Sequence, residues 1–219
     1  MARNALLFLI AALAACRAAP PSDATAGTEA RADDAARPVG RDSLGPVPSD
    51  ALVAIRADGI GVARIGMTIG ALRGALPPGT ALGALSPYLV DIDGFPVVEG
   101  GDTLYRVLIV AGEPRSDDTA IRLLATSHPR ARTVDGIGPG SSLADAAVVW
   151  GEPVLTYSTD DESREWAAFP RLPAHLSVRV APESGTSFFA GTYETQAGVN
   201  RTTRYDPAAR IMMVLVGEP

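Results

Sequence analysis

Apolar and polar positions divide the chain into three stretches. A short apolar run over 5–12 follows one basic residue, Arg3, and leads to Leu13-Ala14-Ala15-Cys16. Residues 17–50 then hold Ala, Pro, Asp, Ser and Arg with almost no large apolar side chain. From residue 51 the apolar positions return with two periods. Ile69, Leu72 and Leu76 share one helical face, and so do Leu143, Ala146, Ala147 and Trp150. Thr68 and Ser142 stand where a hydroxyl caps a first turn, and Gly79 and Gly151 where a helix stops. Strand-like runs follow the first helix at 88–92, 95–98, 104–110 and 120–125. They follow the second at 154–157, 165–169, 176–180 and 211–216. Turn signals separate them at Asp93-Gly94, Gly100-Gly101 and Asp160-Asp161.

The two halves repeat. Asp58-Gly59-Ile60-Gly61 recurs as Asp135-Gly136-Ile137-Gly138, each just before a helix start. The expected fold class is therefore α+β: two tandem units over 51–133 and 134–219, each a short helix followed by an antiparallel four-stranded meander. Gly66 and Gly140 lie 74 residues apart, whereas Ile121 and Ile211, in the matching last strands, lie 90 apart. The second half thus carries 16 extra residues between its last two strands, within 181–209. That insertion holds Phe188, Phe189 and Tyr193 in a chain with few aromatics, which makes them the candidate contacts for a protein partner. The competing expectation is a long hairpin whose Phe188 and Phe189 fold back on the core.

Residues 1–15 have the order of a secretory signal: Arg3, an apolar run, then small residues. The run is shorter than the ~20 residues a membrane-spanning helix needs. Leu13-Ala14-Ala15-Cys16 resembles the lipobox of bacterial lipoprotein precursors. That resemblance implies a lipid-bearing Cys16 at the start of the processed chain, and so a membrane partner through that anchor. It places the protein at the outer membrane facing the periplasm in a host with two membranes, since Arg17 stands where Asp would retain it at the inner one. In a host with one membrane it places the protein on the outer face of the cell membrane. Residues 16–50 are expected to be the lipidated cysteine and a disordered linker, which cannot offset its ordering entropy by burial. A flexible chain of that length spans about 30 Å.

Charge and composition narrow the chemistry. All 19 basic residues are Arg, against 25 acidic ones, a net charge of −6. An acidic body gives no attraction to nucleic acid. The single Cys excludes internal disulfides and, once lipidated, thiol catalysis. His128 and His175 show no metal spacing, and neither a metal nor another cofactor is expected. Gly140-Ser141-Ser142-Leu143-Ala144 half-matches a nucleophile elbow but lacks its final Gly, and Ser142 is better read as a helix cap. Asp91-Ile92-Asp93-Gly94 lacks a third calcium ligand at the required spacing and reads as a hairpin turn.

Ile65-Gly66-Met67-Thr68 opening a short helix before a small antiparallel sheet resembles the SmpA/OmlA outer-membrane lipoproteins, and two such units resemble the β-lactamase-inhibitor-protein-like architecture. Those families bind proteins and carry no catalytic residues to transfer. The resemblance implies a lipid-anchored binding or adaptor protein with an unidentified protein partner. The alternative from a different class is a periplasmic hydrolase with a site assembled from turns, for which Asp160, Asp161 and His175 are the candidates. A third reading is a structural envelope lipoprotein with no specific ligand.

Overall fold

A computed structural model of the chain describes residues 49–183, 187–194 and 196–217. The expected signal peptide, Cys16 and all but the last two linker residues lie outside the described residues. The described chain opens with a 3-10 turn, Ser49–Leu52, and three two-residue strands, β1 (Ile55–Arg56), β2 (Gly59–Ile60) and β3 (Ala63–Arg64), which make a small antiparallel sheet of their own. Helix α1 (Ile69–Ala75) follows, then β4 (Thr80–Leu82), β5 (Ser86–Leu89), β6 (Ile92–Glu99), β7 (Asp102–Val110) and β8 (Leu123–Thr126). Helix α2 (Leu143–Trp150) leads to β9 (Val154–Ser158), β10 (Trp166–Ala168), β11 (Leu176–Ala181), β12 (Val199–Thr202) and β13 (Arg210–Gly217).

Both helices begin in the same way. The Thr68 hydroxyl accepts from the Ala71 N–H at 3.1 Å, and the Ser142 hydroxyl accepts from the Asp145 N–H at 3.0 Å. Each satisfies one donor that a first turn leaves free. Gly66 and Gly140, two residues before the caps, have φ of +83° and +89°, the left-handed region that glycine enters without a Cβ penalty. That turn lets the Gly66 N–H reach the Ile121 carbonyl at 2.8 Å and the Gly140 N–H reach the Ile211 carbonyl at 2.7 Å. In return Ile121 donates to the Met67 carbonyl, and Ile211 to the Ser141 carbonyl.

This local likeness does not divide the molecule into two units, and the expected pair of helix-plus-four-strand meanders is not what forms. Strands β4 to β13 make one ten-stranded antiparallel sheet in the order β12-β9-β10-β11-β13-β8-β7-β6-β4, with β5 also paired to β6. The join is β8 against β13, from Val214 opposite Thr126 to Gly217 opposite Leu123. Two separate sheets would each have left an apolar edge strand with open backbone groups, and pairing them removes both edges. The second half is no meander either, because β12 returns to pair with β9 at the far edge. The Asp93-Gly94 turn is also corrected: the bend is at Asp91, with φ +57°, and Gly94 sits inside β6 opposite Leu108.

Alternation along the strands gives the sheet two different faces. Val107, Leu124, Leu155, Val178, Val214 and Val216 join the main core, together with Ile69 and Leu72 of α1 and Leu143, Ala146 and Trp150 of α2. Trp150 is 1% exposed, meets Phe169 edge-on at 5.5 Å and donates its indole N–H to Asp135 at 3.1 Å. The helix-free face carries a smaller cluster of Leu108, Ala125, Met213 and Leu215, with Tyr88, Ile92, Leu123 and Trp166 packed against it.

Candidate functional site

The connection from β11 to β13 covers 182–209, against 111–122 for the connection from β7 to β8, sixteen residues more. Its segment 187–194 is fastened to the β9–β10 hairpin by one carboxylate. Glu165, just ahead of β10, lies on the same side of the strand as Ala167 and Phe169 and is 4% exposed. Its Oε2 accepts from the Ala190 N–H at 2.7 Å. Its Oε1 accepts from the Gly191 N–H at 2.8 Å and from the Tyr193 hydroxyl at 2.7 Å. Three donors spread over both oxygens offset much of the cost of desolvating the charge. The Glu165 carbonyl in turn accepts from the Val180 N–H of β11, so the clamp is built into the sheet. A second clamp closes the loop from the other side: Thr192 donates to the Arg204 carbonyl at 2.8 Å and Asp206 to the Ala190 carbonyl at 2.9 Å.

Aromatic rings are stacked on this base. Tyr157 of β9 is 3% exposed and forms the floor. Phe189 lies on it, ring centroids 4.1 Å apart and planes at 20°, and Tyr193 meets it edge-on at 4.7 Å. Phe188 meets Phe189 edge-on at 5.0 Å and is itself 81% exposed. Burial and the hydrogen bond to Glu165 push the Tyr193 hydroxyl well above the usual tyrosine range, so it remains a donor wherever the protein is folded near neutral pH. The structure thus gathers Phe188, Phe189 and Tyr193 but gives them different tasks. Phe189 and Tyr193 face the hairpin, while Phe188 faces water.

Glu165 and Tyr157 escaped the reading of the sequence. A signal was present for Glu165. In a strand over 165–169, alternation puts Glu165 on the side of Ala167 and Phe169, where a carboxylate has to be buried and bonded.

The hydrolase candidates are not brought together. Asp160 and Asp161 sit in the turn that enters β10, whereas His175 lies beyond its other end, where its carbonyl accepts from the Gly217 N–H. His128 Nδ1 accepts from the Arg130 N–H at 3.2 Å. Burial, then the Arg130 charge, holds its pKa below the ordinary histidine value, against the opposite pull of Asp102 and Glu99. Ser142 is the α2 cap, its hydroxyl donating to Asp145 at 2.7 Å. Among the described residues no group of three His, Cys, Asp or Glu is placed to hold a metal ion, and no helix is long and apolar enough to cross a membrane.

No protein-family model matches the chain. No curated protein matches it. Among solved structures it is similar to the uncharacterized protein YfeY from Escherichia coli, with a TM-score of 0.46 and 12% identity, covering 76% of this chain and 99% of that one.

Proposed function

We propose that the chain is a lipid-anchored envelope binding protein, an adaptor that meets a protein partner through the loop around Phe188. The observation that carries this reading is the contrast within the loop: a phenylalanine 81% exposed on a base that a buried carboxylate and two tyrosines hold still. A large apolar side chain held out on a fixed loop loses little entropy on docking, the condition under which an aromatic becomes an anchor. The tether is the lipid on Cys16, as the lipobox resemblance implies, and the linker gives the body its reach. The place of action is the periplasmic side of the outer membrane in a host with two membranes, or the outer cell surface in a host with one.

The test is in-cell photo-crosslinking from position 188 of the full chain, followed by capture with Phe188→Ala. The expected outcome is one discrete protein adduct, and capture of that protein weakened about 30-fold by the substitution, the size of a hot-spot loss. The melting temperature should be unchanged, since an exposed side chain away from the core contributes within about 0.5 kcal/mol. No discrete adduct, or undiminished capture, would sink the reading.

A further inference from the structure

On the helix-free face, away from the loop, Arg106 and Arg179 form no ion pair among the described residues. Arg106 lies opposite Ala125, Ala125 opposite Leu215, Met213 opposite Arg179, and Arg179 opposite Trp166. Cross-strand partners share a face, so these side chains form one band over the smaller apolar cluster. Tyr88 spans the band. The Arg106 guanidinium carbon sits 4.8 Å above its ring centre, and its hydroxyl reaches the Met213 sulfur at 3.9 Å, beside Arg179. A hollow of about 450 Å³ opens at the Arg106 end, lined by Tyr88, Asp102, Arg106, Ala125, Ser127 and His128 among others.

The charges in this band are unbalanced. Among the described residues neither guanidinium joins an ion pair, although the chain holds 25 acids against 19 arginines. The Arg179 Nε–H is shut off from solvent with no acceptor. A buried donor without a partner is rare in native proteins and calls for a missing acceptor. The nearest charges do not supply one. Arg164 opposes Arg179 and is itself paired to Glu162, and Asp161 and Glu162 act on Arg179 only through space. Burial, then Arg164, lowers the Arg179 pKa, against the opposite pull of Tyr88, Glu162 and Asp161.

We propose that this band is a binding site for a small oxyanion, a carboxylate or phosphate carried on an aromatic or apolar body. The oxyanion is held by Arg179 and Arg106, and the body lies against Tyr88 and Trp166. The reasoning is charge complementarity: a guanidinium pairs with such groups through two parallel N–H bonds, and flanking rings supply the apolar contact. This site is independent of the loop and of any protein partner.

The molecule contains its own probe. It has two tryptophans, of which Trp150 is 1% exposed in the main core and Trp166 lies in the band. The experiment titrates the full chain with phenyl phosphate, benzoate, inorganic phosphate and neutral phenol, following tryptophan fluorescence. Expected is a saturable change with phenyl phosphate or benzoate at about millimolar concentration, a plausible affinity for fragments of this size. The two probes separate a phosphate from a carboxylate site. Arg179→Met and Arg106→Met should each weaken the response at least about tenfold, the loss of one charge-assisted bond. Trp166→Phe should abolish the signal. Phenol binding as well as phenyl phosphate would show an apolar hollow only and overturn the proposal, as would no saturable response, or an unchanged response in Arg179→Met. Thermal unfolding closes the remaining escape. Arg179→Met should melt no lower than the parent, because it removes a half-buried charge whose Nε–H has no acceptor. A fall of more than about 5 °C would mean that the fold itself satisfies Arg179, and would equally overturn the site.

Discussion

The connections that follow β7 and β11 return the chain to the same place by different means. Each ends in a short run whose carbonyls receive the helix start: Thr119 accepts from Ile69 at 3.0 Å, and Ala209 accepts from Leu143 at 2.8 Å. The shorter connection is polar and holds itself together at the surface. The Ser116 N–H bonds the Thr119 hydroxyl at 2.8 Å, and Asp117 pairs with Arg73 at 3.3 Å, both side chains more than half exposed. The longer one has the same ends, yet it is held by a buried carboxylate and by Phe189 stacked on Tyr157 with Tyr193 edge-on to both. A loop that only has to close can use exposed ion pairs, each contributing about 0–1 kcal/mol. A loop that has to present a side chain at a fixed position needs bonds that water does not compete for, and Glu165 supplies them.

The comparison breaks first at Glu165. Glu165→Ala removes three hydrogen bonds to a charged acceptor and should cost about 3 kcal/mol, or roughly 6–12 °C in melting temperature for a domain of this size. Limited proteolysis should then cut near 187–193 while the sheet stays folded. A variant that melts like the parent would show that the rings alone hold the loop. Next in size is Phe189→Ala, which removes the ring stacked on Tyr157. A half-buried aromatic contact of this kind should cost about 2 kcal/mol, read from the urea midpoint. Should Phe188→Ala cost more stability than Phe189→Ala, the roles of the two rings would have to be exchanged. The smallest effect sharpens the comparison where the two corners agree. Thr68→Ala and Ser142→Ala should each cost about 1 kcal/mol, the worth of one cap, and be equal within about 0.5 kcal/mol. A larger cost at Ser142 would show that its corner depends on the clamped connection above it.

Helix starts and most strands were legible in the sequence because they are local. Thr68 and Ser142 announce their caps, and the period-2 runs announce β7, β9 and β11. The three two-residue strands at 55–64 and the edge strands β4 and β12 carry no such pattern, since strands that short bury too few side chains to show alternation. The joined sheet depends on β8 meeting β13, a pairing between distant parts of the chain that no local window contains. One clue did lie in the residues. Ile211-Met212-Met213-Val214-Leu215-Val216 is apolar without alternation, the signature of a strand covered on both sides, and β13 indeed stands between the main core and the smaller cluster. At the candidate site the aromatic residues stood out by their rarity in the composition. Their division into one outward and two inward rings did not, because it depends on Glu165 and Tyr157, which reach the loop from another hairpin.

The position of β13 also sets the order in which the molecule can be completed. It is the last strand of the described residues, yet its neighbours on either side are β8 and β11, from opposite halves. Any shorter piece that stops before residue 210 leaves both of those strands with an open flank, and leaves Gly140 without the Ile211 carbonyl that its turn is aimed at. A nascent chain therefore has no intermediate stopping point at which its first half is a finished object. Closure of the sheet waits for the eight-residue β13, which joins β8 to β11. Long-range contacts of that kind are the slow ones to form.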